Sequence, residues 1–199
     1  MSSKWTHLLG LDPGIRDLNG LTVGAWREGD PCLYIVQSYE LKAIPSELAA
    51  EVKSLDSEYR FVSIYADEGG LGKAFAEEMR KRFSIPVQPI AKVDKRGWIR
   101  LFNGDLRSGR IKVVETRCTK LIEEWRDLPW NADGTREAEG YDCNCADSAL
   151  YMYRASTNYH EEPEPPAPTL SEAMQQMERD LIEQREASIE AEQSKPWWM

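Results

Sequence analysis

Three segments rich in β-forming residues stand at the start of the chain, and only short connections separate them. They are residues 5–12, 20–26 and 32–39. The connection between the second and the third contains Gly29 and Pro31, which predicts a turn and a β-hairpin. The chain therefore begins with strands that pair with one another, and this predicts a sheet with an antiparallel part.

Helical and extended segments alternate after the third strand. Apolar residues at helical spacing, such as Phe75 and Met79, distinguish the helices from the short β-rich runs between them. The predicted helices are residues 45–53, 71–82, 94–106, 119–126 and 146–155, and the predicted strands are residues 61–65, 86–90 and 111–114. Because the strand 86–90 contains two prolines, we expect it at a sheet edge. This order predicts an α/β domain in which helices cover a mixed sheet of three leading antiparallel strands followed by alternating strands and helices.

The composition changes after this body, which we place at residues 1–158. Residues 159–170 are rich in proline and glutamate, which predicts a stiff linker. Residues 171–199 predict an acidic amphipathic helix that ends in an exposed Trp197-Trp198 pair. This tail is either a docking segment or a solvated extension.

No apolar run in the chain approaches the roughly 20 residues of a membrane span. The first residues also lack the apolar core of a signal peptide. We therefore expect a cytoplasmic protein without a membrane partner.

The negative charge of the protein is concentrated in its tail. The formal net charge is −9, and residues 159–199 contribute −7 of it. Residues 73–120 instead hold 13 basic and 5 acidic residues. A local surplus of this size predicts a phosphate-binding face, although a solvated helix surface has the same composition.

The four cysteines do not predict a zinc site. Cys32, Cys118, Cys143 and Cys145 lack the paired Cys/His spacing that structural zinc requires. We expect four free thiols in or near the core.

Three aspartates occupy related positions along the chain. Asp12 ends the first predicted strand, Asp67 follows the strand 61–65, and Asp147 lies in the first turn of the last predicted helix. The ends of neighbouring strands lie about 5 Å apart, and a helix on that edge can bring a third carboxylate alongside. Clustered carboxylates repel one another unless cations bind, and hard oxygen ligands favour Mg²⁺ or Mn²⁺. A turn-forming role for Asp12 alone is the simpler alternative.

The segments around these acids resemble the nuclease domain of the large terminase subunits of tailed bacteriophages, which belongs to the RNase H-like superfamily. The residues that carry the resemblance are Leu-Leu-Gly-Leu-Asp12-Pro-Gly, Tyr-Ala-Asp67-Glu-Gly-Gly-Leu-Gly72 and Cys-Asn144-Cys-Ala-Asp147-Ser-Ala-Leu-Tyr151. The resemblance covers about residues 5–157.

The resemblance implies endonucleolytic cleavage of double-stranded DNA during phage genome packaging, with two Mg²⁺ or Mn²⁺ ions. It implies that Asp12 bridges both ions and that Asp67 and Asp147 complete the sites. Many relatives have histidine three residues before the last acid, where this chain has Asn144. Asn144 and the loop residue Asp142 are therefore further candidate metal ligands.

Phosphate contacts are expected from the basic segment between the second and third acids. The first candidates are Lys92, Lys95, Arg96 and Arg100. No base-reading motif is visible, so DNA binding should be independent of sequence and should weaken with salt.

The sequence contains no G-x-x-x-x-G-K-[S/T] phosphate loop. The chain should therefore not translocate DNA alone, and we expect a separate ATPase motor, a portal or a small terminase subunit as partner of its tail. The chain is either an excised domain or a stand-alone nuclease subunit, acting in the host cytoplasm if a phage encodes it. The alternatives are a RuvC-like Holliday junction resolvase, a non-catalytic packaging or assembly module, and an unrelated role in recombination or repair.

Overall fold

The computed structural model describes residues 5–14, 18–67, 71–90, 93–131, 138, 140–141 and 143–156, with the side chains of residues 71 and 72 excepted. The chain divides into two units, Met1–Glu162 and Pro163–Met199. The predicted linker, acidic helix and Trp-Trp pair lie outside the described residues. The predicted domain boundaries stay a prediction.

Six strands form one mixed sheet. They are β1 (Thr6–Asp12), β2 (Asn19–Trp26), β3 (Leu33–Leu41), β4 (Ser63–Asp67), β5 (Val87–Ile90) and β6 (Ile111–Val113). Their order in the sheet is β5-β4-β1-β2-β3-β6. The three leading strands pair antiparallel, whereas β4, β5 and β6 each join in parallel. The predicted hairpin between β2 and β3 and the edge position of β5 are both confirmed.

Five α-helices connect or follow the later strands. They are α1 (Pro45–Tyr59), α2 (Leu71–Phe83), α3 (Lys95–Ser108), α4 (Thr119–Asp127) and α5 (Asn144–Ala155). The predicted order of strands and helices is confirmed. Some local features differ from the prediction. Strand β4 covers Ser63–Asp67 and not residues 61–65. Helix α1 extends to Tyr59 because Val52 and Leu55 continue its buried face, and a short 3₁₀ turn, Glu115–Arg117, precedes α4.

The sheet has an apolar core on each face. One core joins β1, β2, β4 and β5 to α1 and α2, and it contains Leu9, Leu11, Ile64 and Ala66. The other joins β1, β3 and β6 to α3, α4 and α5. Because side chains alternate along a strand, Asp12 and Asp67 lie on the face opposite Leu11 and Ala66. This is the face that α5 covers.

Helix α5 lies unusually close to the sheet because glycines stand beneath it. A Cβ atom on Gly10 would lie 2.1 Å from the Ser148 carbonyl oxygen, and one on Gly20 would lie 2.0 Å from that of Asn144. Between these contacts, the buried Thr22 hydroxyl lies 2.7 Å from the Ser148 hydroxyl. The small residues of β1 and β2 therefore fix the height of α5 above the sheet.

The structure bears on the cysteines and on possible membrane-spanning helices. All four cysteines are free thiols; Cys118 and Cys145 are buried, and Cys32 and Cys143 are partly buried. Burial raises the pKa of the Cys118 thiol to about 11, which keeps it protonated at neutral pH. No helix among the described residues has the length and apolar character that crossing a membrane requires.

Candidate active site

Asp12 and Asp67 end two neighbouring parallel strands. Leu11 of β1 pairs with Ala66 of β4, and the two aspartates are the next residues of these strands. Neighbouring strands lie about 4.8 Å apart, so the carboxylates stand side by side at one edge of the sheet. Asp67 is buried and Asp12 is half-buried. The predicted juxtaposition of these two acids therefore follows from the observed strand register.

Asp147 comes to the same edge from α5. It lies one turn into the helix, on the side of α5 that also carries Tyr151 and Arg154. The side chain is almost buried, with 11% of its surface exposed. The glycines beneath α5 set its distance from the strands that carry Asp12 and Asp67.

The buried Tyr151 lies close enough to respond to all three carboxylates. Burial is the main cause that raises the pKa of its hydroxyl above the ordinary value, and the charges of Asp147, Asp12 and Asp67 raise this pKa further. The three predicted acids therefore produce one shared negative field beside Tyr151.

A lysine neutralises part of this field. Lys95, the first residue of α3, places its Nζ 2.6 Å from Oδ1 of Asp147, and three quarters of the lysine side chain is buried. No group of three or more His, Cys, Asp or Glu side chains stands in metal-binding geometry within the described part of the chain. The carboxylate oxygens of Asp12, Asp67 and Asp147 are nevertheless the type of donor that hard divalent cations favour.

The two predicted second-site ligands, Asn144 and Asp142, are not both described. The amide nitrogen of Asn144 donates to Oε1 of Glu40 at 2.9 Å, on the β3 side of α5. Asn144 as a metal ligand stays a prediction. Asp142 and the predicted phosphate contact Lys92 lie outside the described residues.

Glu124 is a site residue that the sequence did not indicate. Its buried carboxylate accepts hydrogen bonds from the backbone N–H groups of Cys145, at 3.3 Å, and Ala146, at 2.7 Å. It therefore caps the N-terminus of α5 in place of the usual N-cap side chain. Burial raises the pKa of this carboxyl to about 7, Glu40 adds to the rise, and the two N–H groups and Lys120 oppose it.

The remaining predicted phosphate contacts lie along the first two turns of α3. Arg96 and Arg100 are exposed, while Lys95 is held by Asp147. Trp98, on the same helix, is partly buried, and it contacts the Tyr153 ring at 6.1 Å between centroids. Its packing is that of a core residue.

This mixed six-stranded sheet, covered by helices on both faces, has the RNase H-like fold. The sequence matches the terminase RNase H-like domain model over residues 9–154, so the chain belongs to that family. It is a terminase RNase H-like domain. No curated protein has a sequence that matches this chain significantly.

Solved structures of terminases share the fold at low sequence identity. The P22 large terminase nuclease domain is 14% identical, with a TM-score of 0.65 over 81% of this chain and 89% of its own. The nuclease domain of the bacteriophage SPP1 large terminase, solved with bound Mn, is 14% identical, with a TM-score of 0.57 over 75% of this chain and 85% of its own. The large terminase of a thermophilic bacteriophage is 14% identical, with a TM-score of 0.63 over 78% of this chain. The present chain covers only 41% of that longer protein.

Proposed function

We propose that this chain is a metal-dependent endonuclease that cleaves double-stranded DNA during phage genome packaging. The observation that supports the proposal is that Asp12 and Asp67 end neighbouring parallel strands, on the sheet face that α5 with Asp147 covers. The bound Mn of the SPP1 domain supports a divalent cofactor, and Mg²⁺ or Mn²⁺ is the choice that carboxylate oxygens favour.

The three aspartates would hold two such ions, and the ions would supply charge stabilisation for the attacking and leaving oxygens of a phosphodiester hydrolysis. Asp12 stands on β1, between β4 with Asp67 and the strand β2 beneath α5. This central position suits a carboxylate that bridges both ions. Asp67 and Asp147 would complete the two ligand sets, and Asn144 and Asp142 stay as further candidates.

The basic residues would bind the DNA backbone. Arg96 and Arg100 project from the exposed side of α3, and Lys95 at the start of this helix reaches Asp147. Such contacts to phosphates position the duplex without reading its sequence. Lys92 is the fourth residue that we assign to this surface.

The partners of the domain follow from its family. Because a nuclease domain does not itself translocate DNA, we propose that it acts with an ATPase motor. We also propose that its C-terminal tail contacts this motor, a portal or a small terminase subunit.

Plasmid cleavage in the presence of Mn²⁺ or Mg²⁺ tests the proposal. Asp12→Asn, Asp67→Asn and Asp147→Asn should each reduce cleavage at least about 100-fold, because each removes a metal-binding charge. Asp127→Asn, an exposed acid at the end of α4, is the matched control and should cleave like the wild type. Full activity of Asp12→Asn would refute the proposal.

The same assay separates the alternatives. Preferred cleavage of a four-way junction over linear duplex would favour a resolvase. No cleavage of either substrate, with no change in melting temperature on Mn²⁺ addition, would favour a non-catalytic assembly module.

A further inference from the structure

Lys95 forms an ion pair with Asp147, one of the three acids that we propose as metal ligands. Its ammonium group lies 2.6 Å from Oδ1 of Asp147, and both side chains are largely withdrawn from solvent. The ammonium group of an exposed lysine stays hydrated and rarely forms such a short contact, whereas Lys95 is partly buried. The short contact between partly buried groups therefore makes Lys95 an internal counter-ion of the acidic edge.

The position of Lys95 is built by the surrounding structure. Arg154, two turns after Asp147 on α5, donates from Nη2 to the Val93 carbonyl oxygen at 3.0 Å. The Arg154 guanidinium also lies 5.1 Å from the centre of the Trp98 ring. The helix that carries Asp147 thus also anchors both sides of the turn that presents Lys95.

The start of α3 is a poor place for a cation. Asp94 caps this helix by accepting from the Gly97 N–H, in a left-handed conformation (φ 53°, ψ 48°) that aspartate takes more readily than most residues with a side chain. Lys95 follows at the first helical position, where the positive end of the helix dipole disfavours a cation. Because local preferences oppose the lysine at this point, its placement against Asp147 is a feature of the acidic edge rather than of α3.

We propose that Lys95 competes with divalent metal for Asp147. In the metal-free protein the ammonium group holds the acidic edge together by reducing the repulsion among its carboxylates. Metal binding displaces Lys95 from Asp147, and the displaced ammonium group then contacts a phosphate of the DNA. This inference rests on the metal site of the proposed function.

Isothermal titration of the full chain with Mn²⁺ tests the competition without requiring cleavage. Lys95→Met keeps much of the side-chain length and removes the charge, so Mn²⁺ should bind at least about tenfold more tightly than to the wild type. Lys95→Arg keeps a cation at this position and should retain affinity closer to that of the wild type. Arg107→Met removes one positive charge from the last turn of the same helix and should change the Mn²⁺ affinity less than about twofold, because the site is distant and screened.

Thermal unfolding provides a second measurement. In EDTA, Lys95→Met should melt at a lower temperature than the wild type, because the carboxylates lose their counter-ion. Added Mn²⁺ should then raise its melting temperature by more than it raises that of the wild type.

Two results distinguish failure of this inference from failure of the metal site. If the wild type binds Mn²⁺ and Lys95→Met binds it equally or more weakly, the competition is wrong and the metal site stands. If neither protein binds Mn²⁺, the metal site of the proposed function is wrong, and the competition falls with it.

Discussion

The substitution Glu124→Gln removes an ionisable group from the N-terminus of α5 while keeping its size. Glu124 is 4% exposed, and its carboxylate caps the helix that positions Asp147. Glutamine can still accept a hydrogen bond through its single amide oxygen. The variant therefore separates the effect of the buried charge from that of the shape of the cap.

The pKa of Glu124 gives the size of the expected effect. Burial raises this pKa from an ordinary 4.5 to about 7. Between these two values the folded protein binds a proton that the unfolded chain has released, so stability falls as the pH rises. The full loss is about 3 kcal/mol, since one pKa unit corresponds to about 1.4 kcal/mol. The stability contribution is complete below pH 4.5 and is lost once the pH exceeds 7.

Urea unfolding in EDTA at about pH 5, 6, 7 and 8 measures this effect. The free energy of unfolding of the wild type, relative to that of Glu124→Gln, should fall by about 2–3 kcal/mol between pH 5 and pH 8. Glu123→Gln, an exposed neighbour on α4, is the control. Its difference from the wild type should stay within about 0.5 kcal/mol over this range.

Two outcomes would refute this reasoning. Parallel pH profiles for the wild type and Glu124→Gln would mean that Glu124 does not titrate between pH 5 and pH 8. A wild type that gains stability over Glu124→Gln as the pH rises would mean that the backbone N–H groups outweigh the cost of burying the charge. Either result would leave Glu124 as a helix cap; the first would remove its pH dependence and the second would reverse the sign.

Three further predictions concern other parts of the domain. Gly20→Ala should destabilise the fold by about 2 kcal/mol or more in urea, because its Cβ would lie 2.0 Å from the Asn144 carbonyl oxygen; an unchanged urea midpoint would contradict the close packing of α5. Tyr153→Phe should cost about 1–2 kcal/mol in the same assay, because it removes the 2.7 Å hydrogen bond to Asp105; no loss would mean that water replaces this partner. Arg100→Gln should reduce the salt slope of duplex binding, measured by fluorescence anisotropy, by about one; an unchanged slope would remove Arg100 from the DNA surface.

The positions of the acids at the sheet edge were predictable because they depend on local pattern. An apolar run that ends in Asp12 before Pro13-Gly14 can only be a strand that stops there. The same reasoning applies to Asp67 at the end of β4. The alternation of side chains then places both acids on one face, once the core side is known.

The supporting residues could not be predicted in this way. Glu124 contacts the backbone of Cys145 and Ala146, which follow it by more than 20 positions in the chain. A glutamate in a short amphipathic helix normally faces solvent, and neither its spacing nor its neighbours indicate a buried cap. Lys95 was assigned to the DNA surface from charge alone, and its contact with Asp147 appears only when α3 and α5 are packed together.

The sequence by itself determined the order of the elements and indicated three acids as the candidate site, because both depend on residues that are neighbours along the chain. The tertiary structure decided how α5 approaches the sheet, which carboxylate caps that helix and which cation faces Asp147. These features depend on contacts between residues that are far apart in the chain. The distance between α5 and the sheet is so short that a single added Cβ atom on the glycines beneath the helix would clash with its backbone.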